Sequence, residues 1–579
     1  MNKNLRYWLI TTAIIFSVNI SMAQKSVLDK PDFRAPVDIP MYLSGTFGEL
    51  RSNHFHSGID IKTQGVEGKV IRAIDDGWVS RIKISTGGYG KAIYITHPNG
   101  YVSVYGHLKH FNDTIQGLVI GKQYEKESYT IQIFPDKDEI KVNKGDIIAY
   151  SGNTGSSHGP HLHFEIREEK SQHPVNPLFF KNIKIKDYYR PRITQLAIYP
   201  IDQNSMINGK NDTVFLEIAG WGIEHNIVGN KEITVSGKIS FGISTYDLMN
   251  EISNKNGVYS TRFFNDTTLV FELEMNKLSF NTTRYINSLI DYSHFINTKK
   301  RIIRTQVDTN NLLNNYVIVQ NNGIINFTDS LIHNMYFEVK DAYGNTSKLD
   351  FKLRSNSNHD VVIDSNEPNL TSTFFAFSKK NSIVKDSIEI RFPANSFYRS
   401  FYFDYDEMKK DSSSFSVTYK LHNPNIPVHK YFTLKILPDS IPLTDTGKAY
   451  ISYSRDNTDF YYSGHKKTGK FITCKSRELG YYKVMMDTIS PIITEVNFND
   501  SKKIINQQNL KIKIKDKETG IDSYRATLND SWILMEYDPK KELLVYTLDD
   551  KLKKGKNNFK LIVTDMLDNE SEYNCVLIY

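Results

Sequence analysis

The segment Gly159-Pro-His161-Leu-His163-Phe-Glu165 constrains this chain more than any other. Alternate residues of a strand share a face. As a strand it aims two imidazoles, and then Glu165, in one direction. About a hundred positions upstream stands His56-Ser-Gly-Ile-Asp60. Catalytic zinc typically takes three protein ligands from His and carboxylate and leaves a fourth position to water. His56, Asp60 and one of His161 and His163 complete such a set, with one imidazole left over. The fold must then bring two distant segments to one point. In a straight strand His56 and Asp60 would lie ~13 Å apart, at about 3.3 Å per residue. Zinc needs both within about 2 Å. A bend is therefore expected at Ser57-Gly58, where glycine permits one.

The left-over imidazole, and His107 in Tyr105-Gly-His107-Leu, are candidates to orient a zinc-activated water and to stabilise an oxyanion. His54-Phe-His56 is also a His-x-His pair, so His54 competes with His56. The Gly58 and Asp60 spacing favours His56. Glu165 reads equally as a carboxylate behind a ligand histidine and as an ordinary strand residue. His97, His110, His158 and His173 read as structural or surface residues. Only two cysteines exist, Cys474 and Cys575. They are expected to be buried free thiols, so any metal site rests on His and carboxylate.

Residues 1–23 read as a signal peptide: Lys3 and Arg6, an apolar run, then Ser21-Met-Ala23. No later segment could span a membrane. Residues 37–181 alternate short apolar strands with Gly-rich turns and show no helix period, which predicts an antiparallel β domain. Within it, Tyr124 to Phe134 reads as an extra strand or hairpin, decoration rather than a lid on a groove. An internal echo organises the rest. Pro191-Arg-Ile-Thr194 resembles Pro491-Ile-Ile-Thr494, and Val339-Lys-Asp341-Ala-Tyr-Gly-Asn345 resembles Val563-Thr-Asp565-Met-Leu-Asp-Asn569. The pattern is that of a closing hairpin. It predicts immunoglobulin-like sandwiches at 188–355, enlarged by an insertion, and at 488–579. Ser355 to Asn369 reads as a polar linker, and 370–487 as a third β module. The expected class is all-β throughout. A net charge of +7 over 579 residues suits an anionic surface but does not argue for nucleic acid.

The residues between Tyr42 and Pro177 resemble the lysostaphin/LytM-type zinc metallopeptidases. The resemblance rests on His56-Ser-Gly-Ile-Asp60, Gly88-Tyr-Gly90, Tyr105-Gly-His107-Leu, Ser151-Gly-Asn-Thr-Gly155 and the His161–Glu165 motif, in that order. It implies one Zn2+ held by His56, Asp60 and His163, with His107 and His161 as the catalytic histidines. It also implies hydrolysis of peptidoglycan stem or cross-bridge peptides. Leu43-Ser-Gly-Thr-Phe-Gly-Glu-Leu-Arg51 resembles members from Bacteroidetes-type bacteria, for which the D-alanyl–diaminopimelate cross-link is the expected bond. The expected location is the periplasm or cell envelope, with an envelope partner available to the C-terminal modules. The rival is a catalytically silent protein that activates an amidase or serves as a scaffold.

Overall fold

The computed structural model describes residues 30–229, 232–356, 372–439, 447–501, 503–504 and 507–579. The leader and most of the expected linker lie outside the described residues. Among the described residues strand accounts for about 47% and helix for about 7%, so the fold is all-β.

In the first module the strands of three or more residues are β1 (Leu43–Gly45), β2 (Ile59–Lys62), β3 (Val70–Arg72), β4 (Gly77–Ile84), β5 (Lys91–Thr96), β6 (Tyr101–Gly106), β7 (Leu108–Phe111), β8 (Ile131–Ile133), β9 (Ile147–Ser151) and β10 (His161–Glu168). The main sheet runs β1-β2-β10-β6-β5-β4-β8, and β3-β9-β7 form a second sheet. All six residues of β5 are buried, as expected of a central strand covered on both faces. The β10 strand sits between β2 and β6. This places the His-x-His motif in mid-sheet, directly beside the strand that carries Asp60.

One expectation fails. Asp113–Glu125 is an α-helix (α1) of 13 residues, in a domain whose sequence shows no helix period. Its buried face is a narrow stripe of Ile115, Val119 and Gln123, and Gly117 and Gly121 lower its intrinsic propensity. The apolar period is therefore weak. The usable signal was the cap: Asn112 accepts a hydrogen bond from the Ile115 amide at 3.0 Å, as N-cap residues do. Within the expected extra strand, only β8 forms, pairing with the edge of β4.

The first two modules share one hydrophobic core, running from Phe33 to Leu353 and joined by Tyr398. Residues 372–487 carry two five-stranded sheets around their own core, and the last module packs two four-stranded sheets around another. That last module returns to the first. Lys91 pairs with Glu536 at 2.8 Å and Glu127 with Arg525 at 2.6 Å. Tyr124 meets Trp532 edge-on and hydrogen-bonds Asp549. The α1 segment thus serves as a docking platform, and none of its residues lines the groove described below.

Candidate metal centre

His163 lies directly opposite Asp60 in the β10–β2 register. His56 precedes β2 and is brought back by a bend at Gly58. The glycine is needed for close approach: a Cβ there would sit 2.3 Å from the Phe164 carbonyl oxygen and 2.8 Å from Glu165. The result is a tight triangle. His56 Nε2 is 3.1 Å from Asp60 Oδ1, His163 Nδ1 is 2.9 Å from the same oxygen, and the two nitrogens are 3.1 Å apart. A tetrahedral ion with bonds of about 2.0 Å requires donors roughly 3.3 Å apart. The three residues are one of the groups able to hold a metal ion.

The chemistry of the donors fits as well as their spacing. His56 Nδ1 donates to the Thr46 carbonyl at 2.8 Å, and His163 Nε2 donates to Glu165 at 2.8 Å. Each imidazole thereby turns a lone pair toward the triangle, the arrangement that fixes metal-ligating histidines. Arg51 holds Asp60 Oδ2 at 2.7 Å and leaves Oδ1 to the centre. Two lone pairs and a carboxylate oxygen facing one another in a buried site repel unless a cation or proton lies between them. Burial opposes the charge on Asp60, but His56, His161 and His163 overturn it and hold the carboxyl well below its usual range. Burial likewise disfavours the His163 imidazolium, yet Asp60 and Glu165 outweigh it and raise this group to about 9.

His107 and His161 stand beside the triangle. Their rings are 4.7 Å apart, and that of His107 is 5.8 Å from His163. His107 Nδ1 donates to the Thr154 carbonyl and His161 Nδ1 to the Gly159 carbonyl, each at 2.8 Å. That leaves Nε2 as the available ring nitrogen of each on the groove they line, the His161 atom lying 3.5 Å from Asp60 Oδ1. His107 occupies the step from β6 to β7, where the chain changes sheets, with a left-handed φ of +58°. Such backbone is uncommon for a residue with a Cβ and costs about 1–3 kcal/mol. Burial, with His163 and His161 as neighbours, lowers its pKa to about 3, so it stays neutral across the working range. His54 is exposed and bonds only the Ser52 carbonyl. His158 is exposed on the groove rim, and His97 is buried in the core between Asp76 and Ser103. The two cysteines are free and buried.

Glu165 proves to be fully buried rather than an ordinary strand residue. Burial would raise its pKa, but Arg167 and His163 drive it far down. It also accepts from Ser57, Tyr89 and Arg167. We expect Glu165→Gln to weaken zinc binding by about 10–100-fold, the usual loss when a carboxylate behind a ligand histidine is removed. Competition against a chromophoric chelator measures this directly.

Sequence reasoning assigned no role to Arg51, Tyr89 or Thr46. Tyr89 stacks on His163 with ring centroids 5.0 Å apart. It lay inside the Gly-Tyr-Gly motif already singled out, so a signal existed. Phe280, Thr283 and Arg301 were not foreseeable. They line the same groove of about 1180 Å³ from the second module, over a hundred residues away and without a motif.

A β domain that presents two histidines and an aspartate to an open groove, flanked by two further imidazoles, defines a metallopeptidase-type centre. The sequence model of Peptidase family M23 matches residues 54–124 and 118–177. The domain formed by these residues is of this family, the lysostaphin/LytM type. It is 35% identical over 129 residues to the DD-carboxypeptidase/endopeptidase Mpg of Neisseria meningitidis, covering 22% of this chain and 23% of that protein. It is 36% identical over 133 residues to the murein hydrolase activator NlpD of Escherichia coli, covering 23% and 27%. The chain thus spans about a quarter of the length of these relatives. A solved catalytic domain of the M23 protein EnpA from Enterococcus faecalis is 25% identical, covering 25% of this chain and 96% of that one, with a TM-score of 0.19. Residues 372–487 match the Zu5-like domain. No helix among the described residues is long and apolar enough to cross a membrane.

Proposed function

We infer that this chain is an exported zinc-dependent endopeptidase that cuts peptide cross-links of peptidoglycan, at the D-alanyl–diaminopimelate bond. The observation that carries this reading is the convergence of His56, Asp60 and His163 beside two further imidazoles whose Nδ1 atoms are already committed to backbone carbonyls. When bound at those three residues, zinc supplies Lewis acidity and brings a water toward deprotonation near neutral pH. His161 and His107 then offer Nε2 atoms that take and return a proton and hydrogen-bond the developing oxyanion. The groove wall supplies binding. Arg301 lines that wall as a cation, which suits a stem-peptide carboxylate. The name of the Neisseria relative, a DD-carboxypeptidase/endopeptidase, supports a D-residue at the cut.

The modules beyond residue 181 are read as positioning and docking elements divided at 188–355, 370–487 and 488–579, held in the periplasm or envelope after loss of residues 1–23. Activation of a separate amidase is the rival, in keeping with the similarity to NlpD. The complete set of five residues favours catalysis over it. Digestion of diaminopimelate-type peptidoglycan decides. Zinc-loaded protein is expected to convert cross-linked muropeptide dimers to monomers. Zinc-loaded protein that cuts nothing yet stimulates an amidase would establish the rival instead.

A further inference from the structure

A second buried constellation lies away from the groove, at the seam between the first two modules. Asp187, Asp247 and Asp341 each offer a carboxylate oxygen, and these oxygens lie within 4.8 Å of one another. They are 7%, 1% and 3% exposed. Among the described residues no lysine, arginine or histidine forms an ion pair with any of them. Asp341 is satisfied by the amides of Tyr343 and Asn345 and by the Asn345 side chain. Asp187 Oδ2 and Asp247 Oδ1 have no partner at all. Burial and then the neighbouring aspartates push Asp187 up to about 7 and Asp247 up to about 9.

An independent observation points the same way. Asn256, 3% exposed, is bridged to Asp247 by a reciprocal pair of 2.9 Å backbone hydrogen bonds. Residues so paired put their side chains on one face. Asn256 Nδ2 is taken by the Asn254 carbonyl, while its Oδ1 is buried and unpartnered. A third orphan acceptor, after Asp187 Oδ2 and Asp247 Oδ1, therefore stands on the Asp247 face. Asp187 and Asp247 also line a cavity of about 10 Å³, together with Phe47 and Leu178 of the first module. That is room for one sphere of water size.

We propose that Asp187, Asp247, Asp341 and Asn256 bind one hard divalent cation, calcium, between the first two modules. The donors are all oxygen, and charged and neutral oxygens in an irregular cage suit calcium better than magnesium, which demands a near-ideal octahedron. The last module holds an internal comparison. Its Asp487, Asp516 and Asp565 are grouped in the same way. There, however, Thr519, Gly520, Leu567 and Asn569 satisfy the carboxylates, and none of their oxygens is a buried orphan. The site also has a route to the metal centre. Gly257, next to Asn256, donates to Thr46 Oγ1 at 2.9 Å, and the Thr46 carbonyl orients His56. An ion at Asn256 would stiffen that clasp.

The test uses the full chain, stripped with chelator and reloaded with one equivalent of zinc. Calorimetric titration is expected to show one calcium per chain, and calcium at about 5 mM is expected to raise the melting temperature by several degrees. Magnesium is expected to bind at least about tenfold more weakly. In Asp247→Asn and Asn256→Ala the calcium response should be lost, whereas Asp516→Asn should keep it. Asn256→Ala removes no charge and serves if Asp247→Asn does not fold. In chelator Asp247→Asn should melt no lower than wild type, because the carboxyl it replaces is buried with an unpartnered oxygen and makes no ion pair. The proposal is overturned by a wild-type chain that neither binds nor is stabilised by calcium, by a response that survives Asn256→Ala, or by equal binding of magnesium.

Discussion

His163→Ala is expected to lose zinc and peptidase activity together, with hydrolysis falling by at least about a thousandfold, since a bound metal contributes several kcal/mol of transition-state stabilisation. The reason lies in how few donors there are. The candidate centre has three, and His163 is the one held from both sides, by Asp60 at 2.9 Å and by Glu165 at 2.8 Å. Removing it leaves His56 and Asp60, a two-ligand remnant that a chelator strips readily. The fold should survive the change. Glu165 keeps its 2.6 Å contact with Arg167 and its bond from Ser57, so no buried charge is left alone. Zinc content after dialysis and released muropeptides are the two readouts, with circular dichroism as the check on folding. A variant that retains one zinc per chain and still cuts would remove His163 from the metal set and reopen His161 as the third ligand.

How legible this site was depended on whether its geometry is local. The His161–Glu165 run is periodic, so the face shared by His161, His163 and Glu165 could be read from strand geometry alone. The spacing from His56 to Asp60 demanded a bend, and the bend is there. Its cause was hidden, because Gly58 is small to make room for the Phe164 carbonyl across the sheet. Only the register of β2 against β10 creates that contact. The Asp341 and Asp565 hairpins were visible as an echo, but the difference between their surroundings was not, since it turns on Asn256 and Thr519 from connecting segments elsewhere in the chain. The α1 helix was lost because its stripe is only three residues wide and broken by glycines. The groove wall at Phe280 and Arg301, and the return of the last module onto Lys91 and Tyr124, are contacts between distant modules. No periodicity or motif within one segment encodes them.

Removing His161 or His107 should give the opposite dissociation: zinc stays while turnover falls. Neither residue belongs to the triangle of donors, and His161 Nε2 approaches it no closer than 3.5 Å, at Asp60 Oδ1. Their Nδ1 atoms are occupied by the Gly159 and Thr154 carbonyls, so only the Nε2 side is available to the reaction. General acid–base groups of this kind contribute about 10²–10⁴-fold. We expect kcat to drop by that factor in His161→Ala and in His107→Ala, with KM little changed and one zinc retained. A merely structural role predicts a different pattern, namely zinc loss or a lower melting temperature along with activity. The two positions should also differ from each other. His107 pays for its place with a left-handed backbone and with burial that keeps it neutral down to about pH 3. Its ionisation therefore cannot produce an acid limb in the rate profile between pH 5 and 8. If that limb exists, His107→Ala should leave its midpoint unchanged. A limb that disappears with His107 would mean that the imidazole is charged in the working enzyme, contrary to the burial and the two neighbouring histidines that surround it.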